Sequence, residues 1–342
     1  MSLLEIRDLM ITFQTQRGLL PAVSGIDIEA QAGEIVGVVG ESGCGKTVTA
    51  LSVMGLLPDR ARTSGEILLD GTDLLGLTPE EMRRTRGTRI SMIFQEPMAA
   101  LNPVLTVGRQ LTEPLVRIMG IGESEATEQA VRMLETVHVS GARERLSAYP
   151  HQLSGGLCQR VMIAMALIRQ PRLLIADEPT TALDVTIQAQ ILDLLRELRD
   201  RTGTAILLIT HDLGVVAELC DRVYVMYAGH VMEQGNVYQI FDDPMHPYAY
   251  GLMRSMPEAG RANTGREELY SIPGTVPDLM NMPSGCPFCP RCAESGPLCR
   301  EILPQLVRIS KGHAVRCWKY VGTHRAHDAD RTEEREGARV AR

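Results

Sequence analysis

The chain has 342 residues, of which 44% are hydrophobic and only 4% aromatic, and its formal net charge is −7. This length allows one large domain with an appendage, and the scarcity of aromatic residues predicts a core of aliphatic and methionine side chains. The negative charge argues against a dedicated nucleic-acid-binding protein, because neutralising phosphates requires a basic surface. We therefore expect no nucleic-acid partner.

The N-terminal residues 1–6 lack the basic start and apolar stretch of a secretory signal peptide, which predicts a chain that stays in the cytosol. The longest unbroken apolar run, 161–168, is far shorter than the roughly 20 residues that span a bilayer. We expect any membrane contact to be made through a partner.

Residues 4–30 alternate between apolar and polar types in short stretches, which predicts an antiparallel edge sheet before a parallel core. Phe13 lies in one of these stretches. Its ring is either a platform on which an adenine stacks or an ordinary strand aromatic, and the sequence favours neither interpretation.

Residues 40–47 match the phosphate-binding pattern G-x-x-x-x-G-K-[ST] at every fixed position. Glycines let successive backbone N–H groups converge on phosphate oxygens, because no Cβ stands in the way. An apolar run at 34–39 predicts a strand before this loop, and apolar residues at helical spacing in 47–57 predict a helix after it. The candidate nucleotide ligands are Gly40, Ser42, Gly43, Gly45, Lys46 and Thr47.

Two of these ligands have distinct predicted roles. The Lys46 ammonium would reach the β- and γ-phosphates, and the Thr47 hydroxyl would bind Mg²⁺. The sequence therefore predicts a site for a nucleotide and its magnesium ion.

Short strands are predicted at 64–74 and 90–94, and the second of them ends at Gln95. Amphipathic helical spacing at 106–119 and 126–138 predicts a helical subdomain inserted at about 96–166.

This subdomain ends in Leu153-Ser154-Gly155-Gly156, where a capping serine and two glycines open a helix that reaches residue 168. A helix start of this kind is a second anion-binding device. The two devices either bind separate phosphates or meet across a dimer.

A buried strand at 173–176 delivers Asp177 and Glu178 at its carboxyl end, which is the edge of a parallel sheet where ligands bind. Asp177 is suited to Mg²⁺, and Glu178 could polarise an attacking water. A further strand at 205–210 ends at His211, which alone would more often be structural, and a last core strand is predicted at 223–227.

Five of the eight cysteines fall between Cys286 and Cys317, and in a reducing cytosol such clustering indicates metal ligation before disulfides. Four thiolates suit either zinc or a [4Fe–4S] cluster, so one cysteine is surplus. Spacing alone points to the C-x-x-C-x-x-C run of Cys286, Cys289 and Cys292. The last residues, 323–342, balance basic against acidic side chains with little apolar content, which predicts a disordered tail.

Residues 1–240 resemble the ATP-binding subunit of an ABC transporter. The motifs that carry the resemblance occur in one fixed order: the loop 40–47, Gln95, Leu153-Ser154-Gly155-Gly156, Asp177-Glu178, Ala182-Leu183-Asp184 and His211. The resemblance implies an α/β fold, with a RecA-like P-loop ATPase core, an antiparallel β edge sheet and an inserted helical subdomain.

The resemblance also implies roles for four residues. Glu178 would be the general base, His211 the γ-phosphate sensor and Asp184 a contact across a subunit interface. Gln95 would sense Mg²⁺ or water at the mouth of the helical subdomain, which takes a coupling helix of the permease.

The resemblance also implies that the chain acts as half of a head-to-tail dimer. The resemblance therefore implies that each ATP lies between residues 40–47 of one subunit and Ser154, Gly155 and Gly156 of the other, which is a second copy or a paralogue. The family's signature usually has glutamine where this chain has Leu157. Because Ser154 and backbone N–H groups make the anion contacts, Leu157 need not abolish function, although it leaves turnover in question.

Residues 241–322 look like the C-terminal region of oligopeptide and dipeptide importer ATPases, on the basis of 246–248, 272–277 and 285–292. That resemblance points to a small cysteine-rich appendage with Cys286, Cys292, Cys299 and Cys317 as cluster ligands and Cys289 as the spare thiol.

The implied function is ATP hydrolysis coupled to uptake of di- or oligopeptides. The implied partners are two transmembrane permease subunits and an extracytoplasmic solute-binding protein, with this chain peripheral on the cytoplasmic face of the inner membrane. The alternatives are an importer of nickel or another small solute, and a soluble ABC ATPase acting on nucleic acid or the ribosome. The cargo itself is not specified by the sequence.

Overall fold

The computed structural model describes residues 2–181, 184–256 and 270–322. The predicted disordered tail and residues 182 and 183 of one motif lie outside the described residues. The described chain forms two β-sheets, with helices packed against the larger one.

The strands are β1 (Ser2–Thr15), β2 (Gly18–Gln31), β3 (Ile35–Val39), β4 (Ala61–Leu69), β5 (Thr72–Asp73), β6 (Ile90–Ile93), β7 (Leu173–Asp177), β8 (Ala205–Thr210), β9 (Arg222–Tyr227), β10 (His230–Asn236), β11 (Val307–Ser310) and β12 (His313–Val315). The helices are α1 (Lys46–Val53), α2 (Pro79–Thr85), α3 (Pro97–Ala100), α4 (Val107–Met119), α5 (Glu123–Thr136), α6 (Ala142–Arg145), α7 (Gly155–Leu167), α8 (Val185–Thr202), α9 (Leu213–Leu219), α10 (Val237–Asp242), α11 (Pro247–Arg254) and α12 (Pro297–Glu301). Short 3₁₀ turns lie at Pro150–Gln152, Leu279–Asn281 and Cys289–Arg291.

The larger sheet has the strand order β11-β12-β10-β9-β3-β8-β7-β6, and the smaller sheet has the order β2-β1-β4-β5. Strands β9, β3, β8, β7 and β6 run parallel, whereas β10, β12 and β11 are added in turn, each antiparallel to the strand beside it. The smaller sheet is antiparallel throughout. The carboxyl ends of the parallel strands therefore share one edge, where ligands bind in such sheets.

Strand β3 lies between two hydrophobic cores, and its sequence explains why. All five of its residues are buried and aliphatic or glycine, which is typical of a parallel strand covered on both faces. Ile35 and Val39 pack on the side of the helices, whereas Val36 and Val38 pack on the side of the antiparallel sheet. Alternate side chains of one strand thus join two separate cores.

The predicted elements differ from the observed ones in two places. Strands β1 and β2 are continuous 14-residue strands, longer than the short stretches predicted. Helix α1 ends at Val53, whereas the apolar spacing predicted a helix to residue 57. The helix stops because Gly55 has a left-handed φ of +60°, and the Arg86 guanidinium takes up the carbonyls of Met54 and Gly55.

Helices α3 to α7 fill residues 97 to 167, the stretch for which a helical subdomain is predicted. None of the helices in the described residues combines the length and the hydrophobicity that crossing a membrane requires.

The C-terminal residues extend the core sheet, because β12 pairs with β10 and β11 pairs with β12. Glu233 of β10, which is fully buried, ties this region together. Its carboxylate accepts hydrogen bonds from the backbone N–H groups of Met245 and His246 and is 2.7 Å from Nε2 of His313. One side chain therefore links β10, the segment before α11 and β12.

We predict that Glu233→Ala lowers the free energy of unfolding by about 3 kcal/mol, because three donors from two segments lose their acceptor. Urea unfolding of the purified chain measures this change.

The matched control is Glu294→Ala, which removes an exposed ion pair with Lys319. It should cost less than about 1 kcal/mol. Equal effects of the two substitutions would contradict the role assigned to Glu233.

Candidate functional site

The phosphate loop follows β3 and leads into α1, as its sequence pattern requires. Gly40 has a φ of +153°, and a Cβ there would lie 2.1 Å from the carbonyl oxygen of Met226. Gly45, at φ +105°, would place a Cβ 2.7 Å from the carbonyl oxygen of Ala22. Only glycine fits at these two positions, so the loop owes its shape to its sequence.

The Lys46 side chain is 6% exposed and folds back into the loop. Its ammonium donates hydrogen bonds to the carbonyl oxygens of Gly40, at 2.8 Å, and Glu41, at 3.1 Å. The positive charge is therefore held inside the loop, where it would meet the phosphates of a nucleotide.

Asp177 lies beside the loop at the end of β7, and it is 3% exposed. The Thr47 hydroxyl donates to its carboxylate over 3.2 Å. Burial raises the pKa of Asp177, and the hydrogen bond from Thr47 opposes that shift only in part. A hydroxyl and a carboxylate in contact are the donor set that Mg²⁺ takes in nucleotide sites, so these residues fit the ion.

Three polar side chains converge on Glu178. Gln95 Nε2 lies 2.8 Å from one carboxylate oxygen, and the Thr181 hydroxyl lies 2.9 Å from the same oxygen. Nδ1 of His211 lies 2.9 Å from the other oxygen. The fold thus brings Gln95, Glu178 and His211 together from the ends of three strands, and adds Thr181, which the sequence did not predict.

The environment of Glu178 favours its ionised form. Burial alone would raise the pKa of this carboxyl, but hydrogen bonds from His211 and Thr181 outweigh it and lower the pKa below its ordinary value. The residue also has a left-handed φ of +48°, and its N–H donates to the carbonyl of Ile209 on the adjacent strand. Glu178 is therefore an oriented carboxylate that can accept a proton.

The second anion-binding device lies at the start of α7. The Ser154 hydroxyl caps this helix by accepting from the N–H of Leu157, while the Leu157 side chain packs against the apolar core. A Cβ on Gly155 would meet nothing within 4 Å, whereas one on Gly156 would lie 3.3 Å from Ile187. In the described residues, no hydrogen bond joins this device to residues 40–47.

Two further predicted site residues, Phe13 and Asp184, make their contacts away from the phosphate loop. Phe13 is half-buried in β1 opposite Leu20 and Ala61, and it packs against the core of the antiparallel sheet. Asp184 is exposed and caps α8, where its carboxylate accepts from the N–H of Ile187 over 3.0 Å. Neither side chain is hydrogen-bonded to the phosphate loop.

A buried connection between α7 and the Glu178 segment was missed from the sequence. Gln159 is 2% exposed, and its amide donates to the carbonyl of Pro179 over 2.6 Å. Helix α7 is therefore tied to the residue that follows Glu178. The sequence feature that could have predicted this contact is the pair of polar residues, Gln159 and Arg160, directly before the apolar run 161–168.

The five C-terminal cysteines line one cavity of about 270 Å³, together with apolar side chains such as Phe288, Leu298 and Trp318. Burial raises the pKa of Cys286 to about 12, and neighbouring thiols add to the shift. No group of three or more His, Cys, Asp or Glu side chains in the described parts of the chain is arranged to hold a metal ion. The described residues therefore do not show the predicted [4Fe–4S] cluster or its zinc alternative.

Comparisons with known proteins agree with the fold. The sequence matches the ABC transporter family over residues 23–181 and the C-terminal region of oligopeptide/dipeptide transporters over residues 232–299. A solved dimeric ATP-binding cassette in a post-hydrolysis state, bound to ADP and phosphate, matches with a TM-score of 0.62 and 26% identity. The match covers 68% of this chain and 98% of that chain.

Curated relatives match over more of the chain. A probable peptide ABC transporter ATP-binding protein of Sinorhizobium fredii is 52% identical over 93% of this chain and 95% of its own length. The oligopeptide transport ATP-binding protein OppD of Salmonella typhimurium is 49% identical over 93% of this chain and 94% of its own length.

The phosphate loop, the Asp177–Thr47 pair and the convergence on Glu178 define an ATP-binding cassette, and the chain is an ABC ATPase. More narrowly, it belongs to the ATP-binding proteins of oligopeptide/dipeptide ABC transporters. The predicted family, fold class and ATPase activity are confirmed.

Asp177 gives a test of the site that does not depend on turnover. We predict that Asp177→Asn raises the thermal unfolding midpoint of the nucleotide-free chain at pH 7, because it removes a buried charge. Because the pKa of Asp177 is higher in the folded chain than in the unfolded chain, the folded state loses stability as the pH rises above the ordinary pKa of an aspartate. Below about pH 3 the carboxyl is largely neutral in both states, so the difference should fall close to zero.

Thermal unfolding of the two proteins across this pH range measures the effect. Asp193→Asn, on the exposed face of α8, is the control and should shift the midpoint little at any pH. A stabilisation of Asp177→Asn that is independent of pH would contradict the electrostatic explanation.

Proposed function

We propose that this chain is the ATP-hydrolysing subunit of an importer that couples ATP binding and hydrolysis to uptake of di- or oligopeptides. The observation that carries the proposal is the convergence of Gln95, Thr181 and His211 on the Glu178 carboxylate, next to the phosphate loop. The peptide class rests on the C-terminal region and on the printed names of the relatives. Those names favour peptides over nickel or another small solute.

In this mechanism the loop 40–47 binds the phosphates through its N–H groups and Lys46. Thr47, Asp177 and Gln95 would hold Mg²⁺, which neutralises charge on the phosphates. Glu178 takes the proton of the attacking water, for which its lowered pKa keeps it ionised. His211 orients Glu178 and would contact the γ-phosphate.

Each site is completed by a second ATPase subunit, either a copy or a paralogue. Within the described residues of one chain, Ser154, Gly155 and Gly156 make no hydrogen bond to the loop 40–47. They are therefore free to cover the nucleotide of a partner, as is the exposed Asp184. The Leu157 side chain packs against the apolar core and not over the start of α7, so the unusual signature residue is compatible with anion binding there.

The transporter also requires two permease subunits and an extracytoplasmic solute-binding protein. We place the chain at the cytoplasmic face of the inner membrane, held there by the permeases. Exposed apolar side chains around α3, namely Phe94, Met98 and Val104, support a permease contact on the helical subdomain. Gln95 lies among them and connects that surface to Glu178.

We predict that Glu178→Gln in the assembled transporter retains ATP binding and lowers hydrolysis by at least about 100-fold, because only the proton acceptor is lost. Equilibrium binding and phosphate release measure the two effects separately.

Lys46→Ala is the contrasting variant, since it should weaken ATP binding itself. Hydrolysis by Glu178→Gln at the rate of the unsubstituted protein would show that Glu178 is not the base.

For the cysteine-rich region we propose a structural [4Fe–4S] cluster held by Cys286, Cys292, Cys299 and Cys317, with Cys289 as the spare thiol. A cluster occupies space between its thiolates, and the cavity lined by these cysteines provides such space. The N–H of Cys286 donates to the carbonyl of Cys299 over 2.8 Å, so the backbone brings these two separated segments side by side. Zinc, which draws its ligands to about 2.3 Å, is the alternative.

We predict that anaerobic purification yields a brown protein that absorbs near ~400 nm with about four iron atoms per chain. Cys289→Ser should leave the iron content unchanged, whereas Cys299→Ser should abolish the absorbance. A colourless protein with one zinc ion would contradict the cluster.

A further inference from the structure

Glu41, the second residue of the phosphate loop, is bound by a residue of the cysteine-rich region. The Arg291 guanidinium makes a bidentate ion pair with its carboxylate, with N–O distances of 2.6 and 3.0 Å. The side chains are 5% and 26% exposed, so the pair is largely shielded from solvent. Paired hydrogen bonds of this kind are the strongest that an arginine forms with a carboxylate.

Arg291 is itself fixed in place. Its guanidinium also donates to the carbonyls of Pro273, at 2.9 Å, and Ile272, at 3.3 Å. It further donates to the Tyr227 hydroxyl over 3.3 Å. The guanidinium therefore cannot follow a moving carboxylate; it sets where Glu41 lies.

The backbone of Glu41 is held from the same side. Its N–H donates to the Tyr248 hydroxyl over 2.9 Å, and Tyr248 of α11 is fully buried against Tyr227 and Phe288. Both the side chain and the backbone of this loop residue are thus bound by residues beyond the core strands.

A free carboxylate in a phosphate loop would repel the nucleotide, since like charges a few ångströms apart oppose each other strongly away from bulk water. We propose that the C-terminal region is part of the nucleotide site: Arg291 is a positioning residue that neutralises and orients Glu41 and so raises the affinity of the loop for ATP. This inference rests on the proposed function, because it assumes that residues 40–47 bind ATP.

The position of Arg291 adds a regulatory consequence. It lies in the 3₁₀ turn Cys289–Arg291, immediately before Cys292. Any change that rearranges this turn moves the guanidinium, and with it the loop that receives the phosphates. The conformation of the cysteine-rich region therefore affects the affinity of the loop for ATP. By the same coupling, bound ATP stabilises that conformation.

The test is ATP affinity, measured by calorimetry on the full chain purified anaerobically, with Mg²⁺ present. Arg291→Met should weaken ATP binding by about five- to tenfold, the size of a typical coupling between sites. In the double variant Glu41→Gln/Arg291→Met the carboxylate is gone, so affinity should return close to that of Glu41→Gln alone. Arg308→Met, an exposed arginine of β11, is the matched control and should bind ATP as the unsubstituted chain does.

Tyr248→Phe supplies a second, milder probe, because it removes one hydroxyl from the same contact and leaves the ring in place. It should weaken ATP binding by about threefold and, unlike Arg291→Met, should not be rescued by Glu41→Gln. Unchanged affinity in this variant would overturn the proposal even if Arg291→Met does not fold.

Two further outcomes would overturn the proposal: unchanged affinity in Arg291→Met, or a loss that Glu41→Gln does not relieve, since that would mean Arg291 acts only on the fold. Failure of the unsubstituted chain to bind ATP would instead contradict the proposed function. The two failures are therefore distinguishable in one experiment.

Discussion

The parallel pairing of β3, β8 and β7 is the constraint on which the rest of this molecule depends. Val39 is opposite Thr210, and Ile209 is opposite Asp177, so the three strands end at one level. The residues that follow them, which carry the phosphate loop, His211 and Glu178, must then meet at one edge. A register shift of one residue between any two of these strands would turn their side chains to the opposite face and separate these groups.

Two adjacent carboxylates, Asp177 and Glu178, have opposite electrostatic environments at that edge. Burial raises the pKa of Asp177, whereas hydrogen bonds keep that of Glu178 low. In the proposed function, a magnesium ion would compensate the unfavourable buried charge at Asp177 when nucleotide binds. Asp177 is suited to binding a cation and Glu178 to accepting a proton. This difference follows from the environment of each carboxylate and not from the residue type.

The sequence predicted best what is encoded locally. The phosphate loop, the carboxylates after a buried strand and the serine-glycine helix start are short patterns whose chemistry follows from adjacent residues. What it missed are pairings between distant positions. The Gln159 contact with Pro179 and the Arg291 contact with Glu41 join residues 20 and 250 positions apart, and no periodicity marks either partner. The end of α1 was misplaced for the same reason, since the stop depends on Arg86, a residue of another element.

The antiparallel addition of β12 to β10 has a consequence for how this protein can be divided. A cassette cut near residue 240 would leave the backbone of β10 unpaired at a sheet edge and the Glu233 carboxylate without the donors of Met245, His246 and His313. Such an edge is a template for aggregation. The C-terminal residues therefore share a sheet with the ATPase core, and they cannot be exchanged among transporters without rebuilding the strand that receives them.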